Sequence, residues 1–213
     1  MIKFVLNTPK GGVGKTTTAT NIALLLARND FRVLAVDLAG GLLMSQALEA
    51  CPEFSQPGNN RILQIEGQSI PTTFRGSNSF DFAVLDTDDS FTVAEDLLLG
   101  TRTGWRVISP VDPYDKVGLE RIPREIRAIT LTAVLTPSDL KLSIVTNMAH
   151  GGNINDGYEK LSDELEKKSI ISLLSNIILP HGNSQGLSSI ILLDDHAYRE
   201  ALTELLRSVG VVL

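Results

Sequence analysis

The residues with the most evident chemistry crowd into one stretch, Pro9-Lys10-Gly11-Gly12-Val13-Gly14-Lys15-Thr16-Thr17-Thr18. Gly11, Gly12 and Gly14 can turn successive backbone N–H groups inward around phosphate oxygens, and a helix starting just after them adds its positive end. Lys15 is spaced to reach the β- and γ-phosphates of a nucleoside triphosphate, and the Thr16 hydroxyl to ligate Mg²⁺. Thr17 is placed for the α-phosphate, and Val13 lies inside the same cradle. The general pattern G-x-x-x-x-G-K-[ST] has glycine where this chain has Pro9, so the match is to a variant loop. The variant carries a lysine at each end of its glycines. Lys15 accounts for the phosphate contact; Lys10 needs another explanation.

Two aspartates at the ends of apolar runs supply complementary chemistry. Asp86 closes FDFAVLD, where a carboxylate can hold Mg²⁺ beside a phosphate loop. Asp37 closes RVLAVD and is expected beside the glycine loop. Asp88 and Asp89 follow Asp86 closely, and two extra acids on the γ-phosphate side would be electrostatically awkward unless they point to solvent. His150, His181 and His196 share no ligand spacing with one another or with Cys51, and read as loop or surface residues. The single cysteine excludes an internal disulfide and fits a reducing cytoplasm.

Elements that could position these groups alternate along the chain. Strands are expected at Ile2–Asn7, Arg32–Asp37, Phe80–Asp86, Trp105–Val111, Lys141–Asn147 and Asn176–Leu179. Helical spacing marks Thr16 to about Arg28, Thr92–Leu99, Asp115–Ile129 with Pro123 near a first turn or kink, Asn155–Lys168 and Asp194–Ser208. Cys51–Asn60 is turn-rich. Strands separated by helices give an α/β fold, a mostly parallel twisted sheet with helices on both faces. The 213 residues suffice for one such domain, and 43% apolar with 21% charged residues is the balance of a soluble globular chain. No apolar run approaches the ~18–20 residues of a membrane span, and the start MIKFVLN is too short for a signal peptide. A net charge of −6 argues against wholesale basic binding to nucleic acid but leaves room for a local patch.

KGGVGKTT resembles the deviant Walker A loop of the ParA/MinD family of P-loop ATPases, and the following TTATNIALLLA is also typical of it. The length resembles the small ParA type. The resemblance implies a single-domain P-loop NTPase over residues 1–213 that takes ATP and Mg²⁺. It implies that Lys10 crosses a sandwich homodimer to the phosphates held by the other subunit, which explains the second lysine. By the same resemblance Asp86 is the Walker B aspartate, although the family continues D-T-P-P where this chain has Asp86-Thr87-Asp88-Asp89. Asp37 matches the first aspartate of a D-x-D pair, supporting Mg²⁺ and the loop. The second orients the attacking water, and here that position is Ala39, so hydrolysis is expected to be impaired. Asn147 matches an asparagine that hydrogen-bonds adenine, with a second wall from Pro180–Asn183.

The ending LLRSVGVVL carries one basic residue, which disfavours the membrane-targeting helix of the MinD branch. The ParA branch binds DNA without sequence preference. Candidates here are Lys116, Arg121, Arg124 and Arg127 on one helix, and Arg199 and Arg207 on the last. The implied function is a cytoplasmic, nucleoid-associated positioning ATPase working with an adaptor of ParB or similar type. Its cargo would be a plasmid, a chromosome locus or a protein body such as a carboxysome. Two rivals stand beside it. One is a metabolic or assembly ATPase on the same scaffold, such as an iron–sulfur carrier, disfavoured by the lone Cys51. The other is a non-hydrolysing ATP-binding scaffold, favoured by Ala39.

Overall fold

The computed structural model describes residues 1–52, 54, 61–67, 79–89, 104–135, 140–182 and 190–213, with residues 130–135 described by backbone alone. Seven parallel strands form one sheet in the order β3-β2-β4-β1-β5-β6-β7. They are β1 (Ile2–Leu6), β2 (Val33–Asp37), β3 (Ile62–Glu66), β4 (Phe82–Asp86), β5 (Trp105–Val111), β6 (Lys141–Asn147) and β7 (Leu174–Leu179). Five helices accompany them among the described residues: α1 (Lys15–Arg28), α2 (Leu43–Glu49), α3 (Lys116–Leu135), α4 (Ile154–Lys167) and α5 (His196–Ser208).

Side-chain alternation along each strand builds two cores. Phe4 and Leu6 of β1 point to one face and pack with Ile22 and Leu26 of α1, Met44 of α2, and Tyr198 and Leu202 of α5. Val5 points to the other face, with Leu85 and Val107. On that second face Ile144 packs with Leu119, Ile122 and Ile126 of α3 and Leu161 of α4, while its neighbour Val145 joins the first core. Strands covered on both sides have no solvated face, so β2, β4 and β5 are buried throughout.

Strand register lines up the chemistry. Leu6 pairs with Asp86, Asp86 with Asp37, and Asn147 with Leu179, so every strand carrying a candidate residue ends on the same sheet edge. In open parallel sheets ligands bind outside these carboxyl ends. The loop after the central strand β1 is therefore flanked by Asp37 and Asp86 on one side and by Asn147 on the other.

Most expected elements are present, with shifts that have local causes. Asn153 and Asp195 accept from backbone N–H groups two and three residues on, so α4 and α5 begin after these caps. α3 runs past Ile129 to Leu135, and Pro123 lies inside it beyond the first turn. One strand and one α-helix were not expected. β3 is a half-buried edge strand beside β2, with only three apolar positions. α2 is a two-turn helix. The helix expected at Thr92–Leu99 lies outside the described residues, as does most of Cys51–Asn60; Cys51 itself is buried.

Candidate functional site

The turn from β1 into α1 is built by left-handed backbone. Gly12 has φ +77° and Gly14 φ +89°, values that a β-carbon disfavours. Gly14 is the N-cap of α1 and supplies no side chain, so the first N–H groups of the helix have no side-chain cap. These donors, together with the helix dipole, make an anion cradle. A cleft of about 870 Å³ opens over it, walled by Gly11, Gly12, Gly14, Lys15, Thr16 and Thr17 on the loop side. That volume lies within the range of small-molecule sites.

Lys15 is buried, and its ammonium donates to the Thr8 carbonyl at 3.1 Å, the Lys10 carbonyl at 2.9 Å and Asp89 Oδ1 at 2.6 Å. Asp89 thus turns toward the loop while staying about half exposed, and the awkwardness of an extra acid there is met by pairing with Lys15. The electrostatics explain why: with a buried ammonium beside it, the carboxylate gains a charge-assisted bond. Asp88 also lines the cleft. Lys10 gives its carbonyl to Lys15, but its side chain is not part of the cleft wall. Its β-carbon lies 3.6 Å from where a side chain on Gly118 of α3 would begin.

Asp86 is fully buried, and neither carboxylate oxygen has a hydrogen-bond partner. Burial pushes its pKa up from 3.8 to about 7; the nearby Thr16 hydroxyl, short of a full hydrogen bond, pulls it down, and Asp37 across the strand pair pushes it further up. An orphaned carboxylate beside a second carboxylate and a threonine hydroxyl is a donor set suited to a hard cation. Among the described residues no group of three or more His, Cys, Asp or Glu could hold a metal by itself. A cation here would therefore complete its shell with other oxygens, as Mg²⁺ does on phosphates. Asp37 is occupied differently: it accepts from Ala39 N at 3.2 Å and from Ser45 N at 2.9 Å, capping the first turn of α2. Ala39 faces the cleft with a methyl group only.

Asn147 comes from the far side. Its amide nitrogen donates to the Val13 carbonyl at 2.6 Å. A β-carbon on Gly14 would lie 2.1 Å from that nitrogen, so the close approach demands glycine there. Beyond Asn147 the wall continues through Pro180, His181, Gly182, Leu192 and Tyr198, an apolar end suited to a base. His181, expected as a surface residue, is exposed and also lines this wall.

Sequence reading missed Glu125 of α3. It is buried, neither carboxylate oxygen is hydrogen-bonded, and burial raises its pKa from 4.5 to about 7, against a lowering by Lys15 and Asn7. The available signal was its position among Leu119, Ile122, Ile126 and Ile129, inside the apolar stripe rather than opposite it.

The basic candidates do not form one patch within a chain. Lys116, Arg121, Arg124 and Arg127 belong to α3, which packs on one sheet face, whereas Arg199 and Arg207 belong to α5 on the other. Arg121 donates to the Pro9 carbonyl at 3.3 Å, and Arg199 to Leu193 O at 3.2 Å.

Residues 4–180 match the model of the CobQ/CobB/MinD/ParA nucleotide binding domain. The chain belongs to this family. Comparison with curated protein sequences gives no match. Solved structures share the family fold. McdA from Cyanothece, in its apo form, superposes with a TM-score of 0.69 at 16% identity, covering 99% of this chain and 100% of its own. The MinC:MinD cell division protein complex of Aquifex aeolicus gives 0.65 at 17%, covering 100% and 97%. Cobyrinic acid a,c-diamide synthase of Mycobacterium smegmatis, with an ATP analogue and magnesium, gives 0.67 at 18%, covering 99% and 96%. Identities this low establish shared architecture. The stretch matched by the CobQ/CobB/MinD/ParA model includes the glycine loop, β2 and β4. No helix among the described residues is long and apolar enough to cross a membrane.

Proposed function

We propose that this chain is an ATP-dependent dimerising ATPase of the ParA type, which binds DNA without sequence preference and positions a cargo through an adaptor protein. The observation that carries the reading is the loop itself. Gly12 and Gly14 take left-handed backbone and line the cleft, Lys15 lines it beside them, and a second lysine, Lys10, is not part of its wall. That leaves Lys10 available to a nucleotide held by a second copy.

Each residue then has a task. N–H groups of the loop and Lys15 bind the phosphates, with Thr17 at the α-phosphate. Thr16 and Asp86 would hold Mg²⁺, which supplies charge neutralisation on the β- and γ-oxygens when bound. Asp37 anchors α2 beside Asp86. Asn147 locks the loop to β6 and stands where the base begins. Lys10 from the partner would neutralise charge at the β/γ bridge. DNA contacts fall to Lys116, Arg124 and Arg127, exposed on α3, and dimerisation doubles their number.

Ala39 favours a second reading, a chain that holds ATP without turning it over, since a methyl group cannot orient water. Turnover measured with and without DNA and candidate adaptors separates the two. The Ala39→Asp variant is expected to raise single-turnover hydrolysis by ~10²–10⁴-fold if no other residue positions the water. Equal rates in both forms would assign that task elsewhere. DNA binding should require ATP and fall steeply with salt; salt-insensitive binding, or none, removes the DNA step.

A further inference from the structure

Lys15 has three ammonium protons, and all three are engaged. Two go to carbonyls of the loop and its approach, Lys10 and Thr8, which stay with the loop whatever it binds. The third goes to Asp89, the charged partner, which arrives from the end of β4. The second Asp89 oxygen lies on the upstream side of the loop, 3.0 Å from where a side chain on Gly11 would begin. The carboxylate therefore spans the ground between the Lys15 ammonium and Gly11. With the α-phosphate at Thr17, a phosphate chain runs along the loop toward Gly11. On that reading Asp89 would stand on the path of the last phosphate, between the Lys15 ammonium and Gly11.

We propose that Asp89 is a selectivity residue that competes with the terminal phosphate for Lys15, so that the loop disfavours a nucleoside triphosphate relative to the diphosphate until Asp89 turns out. The proposal rests on the reading of this loop as the nucleotide site. Asp89 is about half exposed, so its pair with Lys15 is screened and readily exchanged: a competitor, not a block. A carboxylate left in place would meet the charge of the γ-phosphate at close range, which makes displacement the favoured outcome. The movement has a defined start. The Thr87 hydroxyl donates to the Leu6 carbonyl at 2.7 Å and holds the strand end, so the turn-out begins beyond Thr87.

The test is calorimetric titration of the full chain with Mg-ADP and with a slowly hydrolysed Mg-ATP analogue. Asp89→Asn is expected to tighten the triphosphate about tenfold, ~1.4 kcal/mol, and the diphosphate by under about threefold. Asp89→Ser, which also removes the charge, must move the ratio in the same direction. Asp163→Asn, an exposed acid on α4 far along the chain, makes the same change in net charge and should leave the ratio unchanged. A ratio unaltered in both Asp89 variants, or shifted toward the diphosphate, overturns the proposal while leaving the nucleotide site standing. If the unmodified chain binds neither nucleotide, the nucleotide reading itself falls.

Discussion

Glu125 offers a sharp test of how the loop is supported. It is buried in α3, its carboxylate has no hydrogen-bond partner, and its pKa rises from 4.5 to about 7. Desolvation is the main cause; Asp89 adds to it, while the Lys15 ammonium and the Asn7 side chain act against it. An acid raised in this way keeps its proton in the folded state over a range where the unfolded chain has lost it. Its penalty is therefore absent below about pH 4.5, grows as pH rises, and levels off above about pH 7. At ~1.36 kcal/mol per pH unit, that gap corresponds to roughly 3 kcal/mol. Glu125→Gln should remove this slope. Urea denaturation of both forms across that range reads it directly: the variant gains on the parent with rising pH, by up to roughly 3 kcal/mol. A constant offset would mean that Glu125 ionises in the folded chain as it does in the unfolded one, and the burial argument would be refuted.

Two further outcomes follow from contacts at the loop. Gly14→Ala places a β-carbon against Asn147 at a φ of +89°, so it should cost ~1–2 kcal/mol of stability from the backbone alone and abolish nucleotide binding. Adding Asn147→Ala should recover the steric part and not the backbone part, as thermal melts of both variants would show. Asp86→Asn removes a buried charge facing Asp37, so stability without Mg²⁺ should hold or rise. Its nucleotide affinity should lose most of its Mg²⁺ dependence, measured by titration with and without a chelator; an undiminished dependence would remove Asp86 from the cation site.

The glycine turn from β1 into α1 was legible in the sequence because its constraint is local. Glycines at left-handed positions between a strand and a helix leave few other uses, and the structure places φ +77° and +89° where two of them fall. The parallel sheet was legible for a similar reason, since buried strands read as unbroken apolar runs. β3 was hidden because an edge strand needs only half a pattern, and its identity comes from its pairing with β2. The places of Asp89 and Glu125 were hidden on the same ground. Acids in a loop or on a charged helix look solvated, and only tertiary packing brings both toward Lys15. Arg121, read as a surface charge, is exposed and also donates to the Pro9 carbonyl, a contact the sequence could not show.

The central claim is that one loop serves two nucleotides, with Lys15 acting on its own and Lys10 on its partner's. Sedimentation velocity with Mg-ATP, detecting protein and nucleotide at separate wavelengths, tests it most directly. The unmodified chain should sediment as a dimer carrying one nucleotide per protomer, and Lys10→Ala as a monomer that still carries its nucleotide. A Lys10→Ala dimer as strong as the parent's, or an unmodified chain that sediments without nucleotide, would contradict the account.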